Sequence, residues 1–489
     1  MQERYIASAD LGTSKLALTV ARICGDDVQI IYYKETSSEG VRYSSVINPK
    51  KASEALRNAV RIAQDELRIE IRQLVVGLPR YSVRQETAKG GFNRSDATSC
   101  ITQEEIDNLK SMALTSYPID DNVKETIYGA VAQSFSTEDI FQSSEEDIVG
   151  ATSEFLEGNF KIFVGRKKAM DNITVTLNEA GIAPAGMYFT TDAVASAVLS
   201  EEERDNGVAL IEMGAGVTSL CIYQNNIMRF YASIPFGGKS ITTDIKYECG
   251  FKEVLAENIK LAFGACMPEK LQSMSEKIIQ INDEENGNFG QKLPVKYLSD
   301  IITCRAREII EAMLFLIQES GYSEKLRNGI VITGGGANLA NITALIKEMS
   351  GYKVRIGFPR TRRISAEGCE GISETGAAAS VGLILISMKD ELINCTSAPV
   401  PRSAQDEEEE KKQIEEKEKE DMQGSVFDSS AAVDPEAAQK AKAAGKKKKK
   451  RSKVDVLWEK VGRKVNNALD GAMDAIGGLY DNTEGGNAS

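Results

Sequence analysis

The chain has 489 residues, of which 42% are hydrophobic, and a net charge of −13. This length allows more than one hydrophobic core, and the negative charge argues against a nucleic acid as partner. The absence of histidine excludes Ser-His-Asp and Cys-His catalysis. The eight cysteines are scattered, so we expect reduced thiols rather than disulfides or a metal site. We expect neither a secretory signal nor a membrane-spanning helix, because no apolar run reaches ~18 residues.

The chain begins with a glycine turn that follows an acidic residue. An apolar strand from Tyr5 to Ala9 leads into Asp10, and a second strand follows the turn. The turn residues are Gly12, Thr13, Ser14 and Lys15. The first 35 residues have the pattern of three strands, Lys50–Leu67 that of an amphipathic helix and Gln73–Gly77 that of a buried strand. This order indicates an α/β unit.

The pattern changes between Tyr81 and about Arg166, where short strands surround one helix. That helix begins at Thr102 with the capping-box pattern Thr-Gln-Glu-Glu. We therefore predict a small inserted subdomain of α+β structure. Beyond it, the sequence predicts a helix at Lys168–Ala180 and a second one at Asp192–Leu199, whose small residues indicate close packing.

A second glycine turn lies within Gly207–Tyr223. Glu212 stands near the end of an apolar strand, and another strand follows the turn formed by Gly214, Ala215 and Gly216. Glycine turns of this kind expose backbone N–H groups that can face an anion. Two such turns about two hundred residues apart predict a duplicated fold that holds one phosphate group from both sides.

The segment after the second hairpin contains Gly237-Gly238-Lys239-Ser240. It is not a P-loop, because Ser233 stands where that motif needs glycine. The sequence predicts a helical region from there to about Phe263 and a long helix at Leu298–Gln318.

A third glycine cluster follows the buried strand Gly329–Thr333. Gly334, Gly335 and Gly336 lead into a predicted helix at Ala337–Glu348, which places backbone amides and a helix N-terminus at one point. Two interpretations stay open, contact with a ligand and a tight β–α turn. Gly376–Ile386 is predicted as another closely packed helix.

The last hundred residues have a different composition. Residues 396–445 lack apolar periodicity and predict a disordered linker. Residues 446–480 predict an amphipathic helix behind a run of seven positive charges. The basic residues are Lys446, Lys447, Lys448, Lys449, Lys450, Arg451 and Lys453, and the apolar face includes Leu457, Trp458, Val461, Val465 and Leu469. Three interpretations of this helix stay open. It docks on its own domain, it binds a nucleic acid or another partner, or it inserts into an anionic phospholipid membrane. The third is favoured, because the only tryptophan lies on the apolar face.

Three motifs in order carry a resemblance to a known superfamily. Asp10-Leu-Gly-Thr-Ser-Lys15, Glu212-Met-Gly-Ala-Gly-Val-Thr-Ser219 and Ile332-Thr-Gly-Gly-Gly-Ala-Asn338 resemble the phosphate-1, phosphate-2 and adenosine motifs of actin-like ATPases. The helices at Asp192–Leu199 and Gly376–Ile386 resemble the interdomain connectors. With the insert, the Gly237–Asp244 stretch and the basic C-terminal region, the chain is similar to the FtsA family, which ties the FtsZ ring to the membrane.

The resemblance implies residue roles in binding ATP and Mg. Asp10 would lie near the magnesium-bound phosphates, and Glu257 and Lys260 would reach the ribose unless they form an ordinary i, i+3 salt bridge. Arg305 would hold the FtsZ C-terminal tail unless it only pairs with Glu308. The phosphate and nucleoside contacts would come from Gly12, Thr13, Ser14, Lys15, Glu212, Gly214, Ala215, Gly216, Gly238, Gly334, Gly335 and Gly336.

One departure from the family pattern affects turnover. The second phosphate motif usually has aspartate at the position of Glu212, and the longer side chain changes the distance to a magnesium-bound water. With no histidine, a water-positioning group must be a carboxylate, amide or hydroxyl. We therefore expect nucleotide binding with at most slow hydrolysis.

The fold expected from the resemblance is the duplicated, ribonuclease-H-like α/β fold of actin, with two lobes. The predicted boundaries are 1–80 for lobe 1A, completed by 167–200 and 357–395; 81–166 for subdomain 1C; 201–236 for lobe 2A, completed by 302–356; and 237–301 for subdomain 2B. The expected function is self-association and tethering of FtsZ at the cytoplasmic face of the cell membrane, as a peripheral membrane protein. The alternatives are an FtsA-like pilus or secretion-platform ATPase and a small-molecule kinase.

Overall fold

The computed structural model describes residues 3–283, 288–360, 364–366 and 368–396. The predicted helix at 446–480 and the predicted linker, apart from Thr396, lie outside these residues. The described elements all belong to one unit, residues 1–398.

The strands and helices of the described residues are numbered separately in chain order. The strands are β1 (Arg4–Leu11), β2 (Lys15–Cys24), β3 (Asp27–Ser37), β4 (Val41–Arg42), β5 (Ser45–Val46), β6 (Gln73–Leu78), β7 (Arg84–Asn93), β8 (Glu125–Ser136), β9 (Phe155–Arg166), β10 (Ala183–Phe189), β11 (Val208–Met213), β12 (Thr218–Gln224), β13 (Ile227–Ile234), β14 (Ile278–Asp283), β15 (Asn288–Pro294), β16 (Ile330–Thr333), β17 (Val354–Ile356) and β18 (Ile364–Ser365). The helices are α1 (Pro49–Leu67), α2 (Gln103–Ser116), α3 (Glu145–Ile148), α4 (Lys167–Ala180), α5 (Thr190–Val198), α6 (Glu201–Asn206), α7 (Gly238–Cys249), α8 (Glu253–Phe263), α9 (Val295–Glu319), α10 (Ile342–Ser350) and α11 (Ala378–Ser387).

Two sheets repeat one arrangement of strands. The first has the spatial order β10-β6-β1-β2-β3-β18 and the second has the order β13-β12-β11-β16-β17. In each, three consecutive strands form an antiparallel meander, and a later strand pairs in parallel with the first strand of that meander. A further parallel strand follows outside it, β10 in one sheet and β17 in the other. The predicted duplication of an α/β fold is therefore confirmed.

The segment between the two halves of the first sheet has its own small core. Strands β7, β9 and β8 form an antiparallel sheet, and α2 packs on it. Phe135 and Phe160 meet edge to face at 5.9 Å between ring centroids, and both side chains are buried. The capping box predicted at Thr102 is present, because its hydroxyl accepts from Glu105 N and the Glu105 carboxylate accepts from Thr102 N. The domain boundaries expected from the sequence stay predictions.

Helices α5 and α11 cross in very close contact. A Cβ on Gly382 would lie 2.0 Å from the carbonyl oxygen of Ala193, so this crossing requires glycine in α11. In the chain, α5 follows β10 of the first sheet and precedes the strands of the second sheet. The small residues in both predicted connector helices therefore serve a close helix–helix contact.

The structure divides two predicted helical stretches. The region after residue 237 breaks at Gly250, which takes a left-handed φ of 70° and ends α7. The helix predicted from Ala337 begins only at Ile342, because residues 335–338 form a short 3-10 turn and Asn341 has a φ of 63°. Asparagine tolerates that left-handed conformation better than most residues. The sequence also did not predict the hairpins β4–β5 and β14–β15.

Candidate functional site

The two glycine turns that follow the acidic residues occupy equivalent positions in their hairpins. In both, the acidic residue, Asp10 or Glu212, lies one position before the last paired residue, and a four-residue loop follows. The first loop residue is glycine in both cases. A Cβ there would lie 2.7 Å from the carbonyl oxygen of the fourth loop residue at Gly12 and 3.0 Å from it at Gly214. The same backbone crowding therefore explains glycine at both positions.

The two turns are in direct contact. A Cβ on Gly216 would lie 2.8 Å from Oγ1 of Thr13, which itself accepts a hydrogen bond of 3.1 Å from Ser44 N. A groove of about 480 Å³ lies beside them and is lined by residues of both turns, including Thr13 and Ala215, together with Arg42 of the hairpin β4–β5. The fold thus brings the two predicted phosphate turns to one groove.

The first turn of α7 packs on the second glycine turn. Gly238 N donates to the carbonyl oxygen of Gly214 at 2.9 Å, and Lys239 N donates to that of Ala215 at 2.8 Å. A Cβ on Gly237 would lie 2.3 Å from the Gly214 oxygen, so the helix approaches this closely only with glycine there. The positive end of the α7 dipole therefore lies beside the turn.

Lys260 of α8 lies behind Gly238. Its ammonium group donates to the Gly238 carbonyl oxygen at 3.0 Å, to Thr242 Oγ1 at 2.8 Å and to Glu257 Oε2 at 2.7 Å, which uses all three of its protons. Burial lowers the pKa of Lys260 from its ordinary value, and the Glu257 carboxylate acts in the opposite direction. The alternative salt bridge between these residues is therefore present, and contact with a ribose stays a prediction.

The three glycines after β16 have different surroundings. Gly334 has a φ of 84°, and a Cβ there would lie 2.6 Å from the carbonyl oxygen of Met213. A Cβ on Gly336 would lie 2.4 Å from Cγ of the buried Met213 side chain. Nothing lies within 4 Å of a Cβ on Gly335. Packing against Met213 explains two of the glycines, and only Gly335 leaves open space for a ligand.

Lys15 closes the first turn, but its side chain is directed toward β3 of the first sheet. Its ammonium group forms an ion pair with Glu35, and a Cβ on Gly376 would lie 2.7 Å from Lys15 Nζ. The lysine side chain is 28% exposed. A contact between Lys15 and phosphate therefore requires a change of partner and stays a prediction, as does the contact predicted for Ser14.

Sequence reasoning missed Arg80, which contacts Glu212 and lies within the electrostatic influence of Asp10. Its guanidinium forms an ion pair with Glu212, and both side chains are 8% exposed. A Cβ on Gly214 would lie 3.7 Å from Arg80 Nη2. Burial lowers the pKa of Arg80, while the nearby Asp10 and Tyr231 raise it. A usable signal existed: Arg80 follows β6, which pairs in parallel with the strand of Asp10, and parallel strands end at one edge of a sheet.

Arg305 of α9 is held by two carboxylates. Its Nε and Nη2 donate to the two oxygens of Asp244 at 2.6 and 3.0 Å, and its Nη1 donates to Glu308 Oε2 at 2.6 Å. The side chain is 30% exposed. The alternative pairing with Glu308 is present, and the role in binding a partner stays a prediction.

The duplicated sheets, with a glycine turn in each, define the actin-like ATPase fold. Among solved structures, the chain matches the PilM–PilN type IV pilus biogenesis complex with a TM-score of 0.55 and 14% identity, over 78% of this chain and 98% of that chain. At this identity the likeness shows the fold alone.

Sequence comparisons identify the family. The family model described as "Cell division protein FtsA" matches residues 209–382. Cell division protein FtsA of Borreliella burgdorferi is 31% identical over 401 residues, 81% of this chain and 93% of that protein. FtsA of Neisseria meningitidis serogroup B is 28% identical over 364 residues, 73% of this chain and 85% of that protein. The chain belongs to the FtsA family of cell division proteins.

Membership of this family supports a protein that takes part in cell division. The likeness to the pilus complex reaches only the fold, so the alternative of a pilus platform is not favoured. None of the helices in the described part of the chain has the length and apolar character needed to cross a bilayer.

Proposed function

We propose that this chain is an ATP-binding adaptor of the division ring. It binds Mg-ATP between its two glycine turns, self-associates, holds the C-terminal tail of FtsZ and attaches to the cytoplasmic face of the cell membrane through residues 446–480. The observation that carries the nucleotide site is the contact between Thr13 and Gly216, because it places both turns at one groove.

The residues around the turns suit a triphosphate with magnesium. Arg80 Nε and Glu212 Oε2 are buried and have no hydrogen-bond partner among the described residues, and such atoms mark a position that a ligand or water completes. No group of three or more Asp, Glu, Cys or His side chains in the described ranges could hold a metal ion alone. Magnesium commonly takes most of its ligands from phosphate and water, so Asp10 would suffice as the protein contact.

Slow ATP hydrolysis is consistent with the ion pair that Glu212 forms. Glu212 is engaged by Arg80 and is therefore an ion-pair partner rather than an available base. In this proposal the bound nucleotide favours one arrangement of the lobes through its differential affinity for that arrangement.

Nucleotide binding is tested with Gly216→Ala, whose methyl group would strike Thr13. The matched control is Gly129→Ala in the inserted sheet, where the nearest atom to the new Cβ lies at 3.8 Å. Isothermal titration with Mg-ATP should show affinity weakened by about tenfold or more for Gly216→Ala, or about 1.4 kcal/mol, and unchanged affinity for the control. Equal affinity in all three proteins would refute the placement of the phosphates.

The membrane part of the proposal depends on the basic, amphipathic sequence of residues 446–480. Each lysine or arginine near an anionic surface contributes about 1 kcal/mol, and the apolar face adds its burial. The test is co-sedimentation with vesicles containing anionic lipid, comparing the full chain with a version that ends at Cys395. We expect only the full chain to pellet and Trp458→Glu to pellet less. Equal pelleting of the long and short chains would contradict the anchor.

The tail of FtsZ is proposed to bind near Arg305. Tyr247 of α7 and Tyr297 of α9 are 74% and 45% exposed, and they lie on the same two helices as Asp244 and Arg305. Exposed aromatic residues and arginines are both enriched in protein-binding surfaces.

The matched variants for this surface are Arg305→Ala and Arg307→Ala. Arg307 also lies on α9, and it pairs with Glu348 at 3.2 Å. Fluorescence polarisation with a labelled FtsZ C-terminal peptide should show about tenfold weaker binding for Arg305→Ala and little change for Arg307→Ala. The proposal fails if both variants bind the peptide as the parent protein does.

A further inference from the structure

Arg80 is a charged residue in an unusual position. It follows β6, its guanidinium is in contact with Glu212, and both side chains are nine-tenths buried. The Tyr231 hydroxyl donates to the Arg80 carbonyl oxygen, which fixes the backbone from the second sheet. Because the arginine comes from the segment after β6 and Glu212 from β11, the pair connects the two duplicated halves at the glycine turns.

The ion pair does not satisfy all of its polar atoms. Arg80 Nε and Glu212 Oε2 have no hydrogen-bond partner within the described residues, although both atoms are buried. Arg80 Nη2 lies 3.7 Å from the position that a Cβ on Gly214 would occupy. The side chain therefore reaches the second glycine turn with donor capacity to spare.

The charges of the side chains around the turns suggest a ligand for the N–H groups of Arg80 that have no partner among the residues that the structure describes. Asp10 and Glu212 carry one negative charge each and Arg80 carries one positive charge, so the three side chains together have a formal charge of −1. A polyphosphate is itself strongly anionic and would be repelled by two uncompensated carboxylates. A guanidinium remains charged at neutral pH and suits phosphate oxygens through its planar array of donors. Unlike a metal ion, it is a permanent part of the site.

We propose that Arg80 is the resident counter-ion of the nucleotide site. It neutralises Glu212 and donates a hydrogen bond to a phosphate of the bound nucleotide, so ATP binding depends only weakly on a divalent cation. This inference rests on the proposed binding of ATP between the turns.

The test compares ATP affinity with magnesium and with EDTA. The variants are Arg80→Gln, Arg80→Lys and the double variant Arg80→Gln/Glu212→Gln. The double variant removes both charges of the buried pair, so it remains informative if Arg80→Gln alone fails to fold. Arg84→Gln is the matched control, since Arg84 lies in the same segment but pairs with Glu86 and Glu125. Circular dichroism checks the fold of each protein.

For the parent protein and Arg84→Gln, we expect removal of magnesium to weaken ATP binding by less than about tenfold. In EDTA, Arg80→Gln and the double variant should bind about 10- to 100-fold more weakly than the parent, because a charged hydrogen bond to phosphate is lost. The ATP affinity of Arg80→Lys in EDTA should lie between the affinity of these two variants and that of the parent.

Two results would overturn the inference. One is a parent protein that binds Mg-ATP but loses more than about tenfold of its affinity in EDTA. The other is a folded double variant that binds ATP in EDTA as tightly as the parent does. If the folded parent does not bind ATP even with magnesium, the proposed function fails as well, which distinguishes the two failures.

Discussion

Replacing glycine by alanine should have different effects at the adjacent positions 335 and 336. In Gly336→Ala, the new methyl carbon would lie 2.4 Å from Cγ and 2.6 Å from Sδ of Met213. Nonbonded carbons prefer about 3.5–4.0 Å, and Met213 is 1% exposed, so it has no space into which to move. We expect a loss of about 1–3 kcal/mol in the free energy of unfolding.

In Gly335→Ala, the methyl group enters open space instead. No atom lies within 4 Å, and Gly335 has no left-handed φ, so stability should change by no more than about 0.5 kcal/mol. If the nucleoside lies along this glycine, the methyl group should weaken Mg-ATP binding by about tenfold. Differential scanning fluorimetry and isothermal titration on the two variants separate stability from affinity.

Two outcomes would contradict the expected behaviour of Gly335 and Gly336. A Gly336→Ala protein that melts with the parent protein would refute the packing against Met213. A Gly335→Ala protein that keeps both its stability and its affinity for ATP would refute the placement of the nucleoside, because the space would then be unused.

Three further variants test the packing and electrostatics of the fold by thermal and urea denaturation. Gly382→Ala should cost about 1–3 kcal/mol or more, because its Cβ would lie 2.0 Å from a backbone oxygen of α5; parent-like stability would contradict that contact. Arg94→Met should cost about 2–3 kcal/mol, since its 2%-exposed side chain pairs with Glu105, and a loss below ~0.5 kcal/mol would contradict this. Glu203→Gln should destabilise at pH 7. Burial raises the pKa of Glu203, but the hydrogen bonds and charge of Arg355 together with hydrogen bonds from Ser200 outweigh it and hold the pKa below its ordinary value of 4.5. The stabilisation by ionised Glu203 is present above pH 4.5 and is lost as the pH falls below that value. A stability difference between the parent and Glu203→Gln that does not change with pH would therefore contradict the account.

Local signals made the glycine turns predictable. Glycine is needed where a Cβ would meet the backbone of its own four-residue loop, and that requirement depends on neighbours in sequence, as at Gly12 and Gly214. The duplicated order of strands followed from the same repeated pattern. The start of α10 was wrong because Asn341 adopts a left-handed conformation, which the apolar periodicity does not reveal.

The features that could not be predicted depend on contacts between distant segments. Arg80 becomes part of the site only when β6 pairs with β1 and β11 brings Glu212 across from the second sheet. Likewise, Lys260 uses its protons on Gly238 and Thr242 of the preceding helix. The residue types can be read from the sequence, but the partners of these charged groups follow from tertiary structure.

A structure of the full chain with a non-hydrolysable ATP analogue and magnesium tests the central claim most directly. We predict that phosphate oxygens lie within about 3.2 Å of backbone nitrogens from both turns, those of Gly12–Lys15 and those of Gly214–Gly216. An analogue bound elsewhere, or held by one turn while the other faces a separate surface, would contradict the account.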